Sequence, residues 1–337
     1  MIAIHYQPGN NFSEYWKGYL DQSNIAYKIV NAYDSDIIQQ LQGCTFFLWH
    51  INNLNHRDQI FAKYLMNAVE KIGINIFPDF NTNWHFDDKV AQKYLFEALD
   101  LPLVKTYVFY DKKEATLWAK NTTFPKVFKL RRGSGSKGVM LAKTQKEALE
   151  LINIAFGKGF KTISPWFLFQ ERIRKFKSGN DTLTGVLKGF IRLFIGTEYI
   201  NMSNREKGYV YFQDFIPKND FDIRVIVIGD RAFGIKRMNR KGDFRASGSG
   251  HIIYDRNQIE IKCIELAFEA NKKLKMQCAA LDFVYDEKGK PLIVEVSFGY
   301  NPMGYRTCEG WWDENLNWHN EVIQPEQWML QDLLKSE

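Results

Sequence analysis

Apolar residues in the first eighty positions fall into short runs separated by amphipathic stretches. Ile2–His5, Ala26–Val30, Thr45–Trp49 and Ile74–Phe77 read as strands. Glu14–Leu20, Asp36–Gln42 and Ile60–Ile72 read as helices. Strands alternating with helices predict a small parallel α/β layer, which Pro78 ends. Residues 87–99 form an amphipathic helix with acids at its start, where the helix dipole favours them, and Pro102 stops it. Strands over 105–110 and 126–130 flank a helix near 113–120. A glycine-rich stretch follows at 133–138, then a strand over 139–142 and a helix over 145–156. The region 161–210 breaks this rhythm. Leu183, Val186, Leu187, Phe190, Ile191 and Phe194 recur at helical spacing, interleaved with Lys188 and Arg192. Strand patterning resumes from Tyr209 to Glu295 around a helix at Ile259–Leu274. The tail 302–337, with Trp311, Trp312, Trp318 and Trp328, is expected to pack across the C-terminal part.

A chain of 337 residues is long enough for two or three domains. The net charge of +6 favours an anionic ligand but is too small to argue for nucleic acid. The opening Met-Ile-Ala-Ile-His-Tyr reads as a strand rather than a secretion signal, and no stretch has the length of a membrane span. Cys44, Cys263, Cys278 and Cys308 are scattered without a CxxC, so reduced thiols in a cytoplasmic protein are expected.

Gly133-Ser-Gly-Ser-Lys-Gly138 matches G-x-G-x-x-G. It sits mid-chain and feeds a strand, which a dinucleotide-binding fingerprint does not. Val139 follows Gly138, so it is not a Walker A loop, and no H-R-D or D-F-G follows it as in a protein kinase. Further on, Asp282 and Glu295 each lie inside a strongly apolar run. A turn at Asp286–Gly289 joins the two runs, so a hairpin would set the acids side by side. Acids in such runs need a partner or a metal. Between these features lies a basic segment, Arg237-Met-Asn-Arg-Lys-Gly-Asp-Phe-Arg-Ala-Ser-Gly-Ser-Gly250. Cations and backbone donors beside two carboxylates suit a polyphosphate held through a divalent ion.

The arrangement resembles the ATP-grasp superfamily, in particular the branch of ribosomal-protein glutamate ligase and glutathione synthetase. The resemblance covers broadly residues 85–300. It implies an α/β (α+β) ATP-grasp fold, in which a small parallel α/β N-terminal domain (1–85) precedes two α+β subdomains clasping ATP. These are a central lid with the glycine loop and basic insert (86–210) and a C-terminal ATP- and metal-binding part (211–337). It assigns Lys89, Lys129, Gly133, Ser134, Gly135, Ser136 and Gly138 to the phosphates. Phe212-Gln213-Asp214-Phe215-Ile216 resembles the strap along adenine, with Asp214 where the family has Glu. Phe169–Ile173 is an earlier, less well spaced copy. Asp220 or Asp222 would bind the ribose. Arg224 and Arg245 would hold a carboxylate or its acyl phosphate, and Lys236 or Arg237 the γ-phosphate. Asp282 and Glu295 would bind Mg2+, with Mn2+ as an alternative ion. Ser297 replaces the family's Asn ligand, and Asn301 lies nearby.

The function so implied is an ATP-dependent ligase joining a small-molecule or peptide carboxylate to an amine, or less favourably a thiol. The alternative, motivated by Ser297, is an ATP-binding sensor or scaffold without turnover. The basic stripe at 183–194 suggests a lipid-linked or anionic acceptor and a peripheral place at a membrane surface. No nucleic-acid partner is expected, and the motifs assign no oligomeric state.

Overall fold

The computed structural model describes residues 1–53, 55–133, 138–161, 205–239, 244–245 and 250–335, with scattered positions between 169 and 190. Two compact units are formed. One comprises residues 1–52, 57–104 and 216–337, the other 53–56 and 105–215.

The first unit begins with four parallel strands, β1 (Ile2–His5), β2 (Tyr27–Val30), β3 (Phe46–Trp49) and β4 (Asn75–Phe77), in the order β2-β1-β3-β4. All residues of β1 and β3 are buried, which is why these strands read as apolar runs, broken only by His5 at the end of β1. The helices of this part are α1 (Phe12–Gln22), α2 (Ile37–Gln40), α3 (Lys63–Lys71), α4 (Phe80–Asn83) and α5 (Lys89–Ala98). A π-helical turn at Asp58–Ala62 leads into α3. Helix α1 buries Phe12, Trp16 and Leu20 along one stripe, and Asn11 caps it by accepting from the Ser13 N–H.

The second unit contains β5 (Thr106–Phe109), α6 (Lys112–Asn121), β6 (Lys126–Lys129), β7 (Val139–Ala142), α7 (Gln145–Phe156), β8 (Phe160–Lys161), β9 (Arg205–Glu206) and β10 (Val210–Asp214). Its main sheet is antiparallel in the order β5-β10-β6-β7. Ala115, Ala119, Ala148 and Ile152 of the two helices share one core with Phe128 and Phe212 of the sheet.

The chain then returns to the first unit. Strands β11 (Phe221–Ile228), β12 (Arg231–Met238) and β13 (Ile252–Ile253) are followed by α8 (Ile261–Leu274), β14 (Cys278–Tyr285), β15 (Pro291–Ser297), β16 (Trp311–Asp313), β17 (Trp318–His319) and α9 (Pro325–Leu334). The sheet is antiparallel, ordered β15-β14-β11-β12-β16-β17, with β13 also on β12. The expected packing of the Trp-rich tail thus takes the form of two added strands and a helix. The predicted elements before 161 and after 209 recur with ends shifted by a few residues at most. The helix expected over 183–194 lies largely outside the described residues; Leu187, Lys188 and Phe190, which are described, are exposed. All four cysteines are buried and unpaired. Among the described residues, no helix is long and apolar enough to cross a membrane.

Candidate active site

The turn between β14 and β15 explains how two acids come to lie together. Gly289 adopts φ +75°, a conformation that suits glycine, and Asp286 accepts from the N–H groups of Lys288 and Lys290 at 2.9 and 2.8 Å. The hairpin this closes places Asp282 directly opposite Glu295.

That pairing depends on an irregularity. Phe283 pairs with Ile293, yet the preceding residue, Asp282, pairs with Glu295, so Val294 is an extra residue in β15. In a regular strand Ile293 and Glu295 would share a face. The bulge sends Ile293 into the core and turns Glu295 to the face of Asp282.

The neighbouring strands add charge to that face. Arg224 on β11 is the cross-strand partner of Asp282, and Asp222 is the partner of Arg237 on β12. Arg224 donates from Nε and Nη2 to the two Asp282 oxygens at 2.5 and 2.7 Å. Arg237 donates in the same forked manner to Asp222 at 2.6 Å through each nitrogen, and its Nη2 lies 2.7 Å from Asp282 Oδ2. Burial alone would raise the Asp282 carboxyl, but the two guanidinium groups overcome it and hold the group well below the usual carboxylate range. Burial is also the largest influence on Asp222 and pushes its carboxyl up, against the opposing pull of Arg237.

Glu295 is the more open of the two facing acids, with 32% of its side chain exposed. Its counter-charge is the nearly buried Lys89, at 3.7 Å. Lys89 opens α5, whose cap is Asp88 accepting from the Ala91 N–H at 3.1 Å. The early lysine and the late carboxylate, more than two hundred residues apart, are thus brought together.

These residues fit one divalent cation. A carboxylate offers about four lone-pair positions; the arginines occupy three on Asp282, which leaves one, and Glu295 adds a further oxygen donor. Among the described residues, no group of three or more His, Cys, Asp or Glu is placed to hold a metal. Two carboxylates completed by phosphate oxygens and water suit magnesium. Ser297 follows on the same face, opposite Ala280, and closes a tight turn: it accepts from the Gly299 N–H at 3.1 Å and lies 3.0 Å from the Gly299 carbonyl. Asn301 caps the 3-10 turn Pro302–Tyr305 by accepting from the Met303 N–H at 3.1 Å, and it also receives the Asn10 amide.

Several expected residues are placed elsewhere. Lys236 shares its face with Ile223 and Phe283, opposite to the carboxylates. Its ammonium meets Gln258 at 3.1 Å and the Phe221 ring at 4.0 Å. Of the two basic neighbours on β12, Arg237 is therefore the one on the acidic face. Asp220 is exposed, whereas Asp222 is engaged by Arg237. Arg245 lies near the Phe244 ring; Gly242, Asp243, Ala246 and Ser247 around it are outside the described residues, as are Ser134, Gly135 and Ser136.

In the second unit, Lys129 on β6 and Gln213 on β10 are buried and share one face of the sheet. Gln213 donates to Thr106 at 3.2 Å. Asp214 points to the other face, where Lys126 meets it at 2.5 Å and also lies over the Tyr107 ring. Phe215 and Ile216 are half-buried, and the boundary between the two units falls between them. Gly133 and Gly138 bracket the glycine loop at φ +124° and +71°, and the Gly138 carbonyl accepts from the Leu130 N–H at 3.0 Å. The role of Lys126 escapes sequence reading, because only the strand register shows that it faces Asp214.

Residues 197–304 match the family model described as RimK-like ATP-grasp domain. The chain is 24% identical over 221 residues to the alpha-aminoadipate–LysW ligase LysX of Saccharolobus solfataricus, a match covering 64% of this chain and 63% of that protein. It therefore spans less than two thirds of that relative. D-alanine–D-alanine ligase from Bacillus anthracis superposes with a TM-score of 0.57 at 11% identity, covering 99% of this chain and 97% of that one. The biotin carboxylase domain of Hydrogenobacter thermophilus 2-oxoglutarate carboxylase gives 0.59 at 12%, covering 99% and 69%. A RimK domain ATP-grasp protein from Sphaerobacter thermophilus gives 0.52 at 13%, covering 91% and 95%. At these identities the structures establish a common fold.

Proposed function

We propose, from the premise that this chain belongs to the ATP-grasp superfamily, that it is an ADP-forming ligase that joins a carboxylate to an amine. The observation that carries this reading is the Asp282–Glu295 pair, aligned by a bulge and ringed by Arg224, Arg237 and Lys89.

In this reading Asp282 and Glu295 would hold a magnesium ion, which would supply positive charge against the phosphates of ATP. Arg224 and Arg237 keep Asp282 ionised, so the acid is ready as a ligand at every physiological pH. Lys89 balances the charge of Glu295 and would offer its ammonium to phosphate where a cation takes over that role. Lys129, Gly133 and Gly138 receive the phosphates of ATP, and backbone groups near Gln213–Ile216 receive the base. The substrate carboxylate oxygen attacks the γ-phosphorus, the bond to the ADP oxygen breaks, and an acyl phosphate forms. The amine then attacks the acyl carbon, phosphate leaves, and the amine proton passes to solvent. No enzyme nucleophile is needed; the chain contributes position and preorganised charge. The three-part division at 85 and 210 belongs to the same proposal.

The test is ADP and phosphate release with Mg-ATP across a panel of amino acids, peptides and amino sugars. Substrate-dependent ADP that Glu295→Gln abolishes supports the ligase. A second reading, an ATP-binding module without turnover, draws on the engagement of Ser297 and Asn301 in turns of their own. Tight ATP binding with no release across the panel, with turnover appearing in Ser297→Asn, favours that second reading.

A further inference from the structure

Strand β15 is the edge of its sheet, so the N–H and C=O groups on its outer side face no further strand. Two devices satisfy them. At Ile293 the chain itself does so: the Ile293 N–H donates to the Pro102 carbonyl at 2.8 Å, and the Val104 N–H donates to the Ile293 carbonyl at 3.1 Å. Beyond the bulge, a side chain takes over. Gln92, only 4% exposed, donates to the Val296 carbonyl at 2.7 Å and accepts from the Val296 N–H at 3.2 Å. Its amide nitrogen also donates to the His85 carbonyl at 3.2 Å. The extra residue Val294 and the carboxylate Glu295 lie between these two attachments.

We infer that Gln92 is a positioning residue for Glu295 and for the ion that Glu295 is proposed to hold; the inference rests on that proposed role. The reasoning is geometric. A bulged edge strand is where register slips most readily, and a slip of one residue would turn Glu295 away from Asp282. A primary amide carries both a donor and an acceptor, so one side chain reproduces the two bonds of a neighbouring strand. Gln92 also stands three residues after Lys89 on α5, on the same helix face. Holding Val296 therefore fixes the distance between the two members of the Lys89–Glu295 pair.

The test uses the full chain, with Mn2+ as the probe in the presence of ADP. Bound ion is read by electron paramagnetic resonance, and ADP without metal is titrated separately. Wild type should bind Mn2+ and Glu295→Gln should lose it. If Glu295→Gln binds as well as wild type, the metal reading itself fails. With that reading upheld, Gln92→Met, which keeps the bulk and removes both bonds, should weaken Mn2+ roughly 10–100-fold. Metal-free ADP binding should stay unchanged. Mn2+ affinity of Gln92→Met within about twofold of wild type overturns the inference. Gln92→Glu covers the case in which the Met variant fails to fold. Its carboxylate lacks the donor for Val296 and regains it on protonation, so its deficit against wild type should narrow between about pH 8 and about pH 6. No deficit at either pH overturns the inference as well.

Discussion

Arg224 and Asp282 sit opposite each other on neighbouring strands and share two parallel N–H···O bonds of 2.5 and 2.7 Å. With Asp222 and Arg237 they form a neutral quartet of two acids and two guanidinium groups. Removing one member strands a buried charge, which costs about 3–5 kcal/mol. Arg224→Met should therefore lose stability on that scale in urea unfolding. The pair Arg224→Met with Asp282→Leu should lose much less, because no lone charge remains. Asp282 titrates below its unfolded value, so its contribution is complete above about pH 4 and is lost as the pH falls further.

Two buried histidines set a second pH dependence. His50 stacks on Phe12 and accepts its N–H at 2.9 Å through Nδ1, which requires a neutral ring; burial lowers it to about 3. His85 is 1% exposed, and burial lowers it to about 4. Below 6.5 the unfolded chain binds protons that the folded chain does not. Stability should then fall by about 1.4 kcal/mol per pH unit for each ring as acid is added. His85→Leu should be neutral or stabilising at about pH 7 and should flatten this acid limb, as read from denaturant midpoints along the pH range.

Lys89 and Glu295 predict opposite responses to one substitution. Lys89→Met removes the charge that an arriving cation must displace from Glu295. Affinity for Mn2+ without nucleotide should rise a few-fold, while affinity for ADP should fall about tenfold, since a phosphate contact is worth roughly 1–2 kcal/mol. Calorimetric titration with each ligand separately checks both directions. Two affinities falling together would refute the displacement.

Gly138 closes the glycine loop at φ +71°, where a Cβ would come within 2.9 Å of the buried Leu130 side chain. Gly138→Ala should cost about 1–3 kcal/mol through backbone strain alone. It should also weaken ADP binding, as seen in a shifted melting curve with and without nucleotide. An unchanged melting curve would show that the turn accepts a side chain.

Much of the fold was legible because its strands carry their burial in their composition. Ile2–Ile4 and Phe46–Trp49 are apolar throughout and lie inside a parallel layer; Asp286 and Gly289 announce the hairpin that sets Asp282 beside Glu295. What could not be read depends on relations between strands. In the segment Ile293-Val-Glu295, simple alternation puts the acid on the face of Ile293, and only the pairing with β14 reveals the extra residue. The choice between Lys236 and Arg237 turns on which face of β12 meets Asp222 and Asp282. Gln92 reads as an ordinary polar residue on an amphipathic helix, because its partner lies 204 positions away.

The bulge in β15 has a meaning at the level of the gene. The parity of this strand between its two attachments at Ile293 and Val296 is odd although both residues face the core, and the bulge absorbs the mismatch. Exchanging Val294 for another residue leaves that parity alone. Losing its single codon would make it even, and a regular strand through Ile293, Glu295 and Val296 would then keep the carboxylate on the face of Asp282 with no bulge at all.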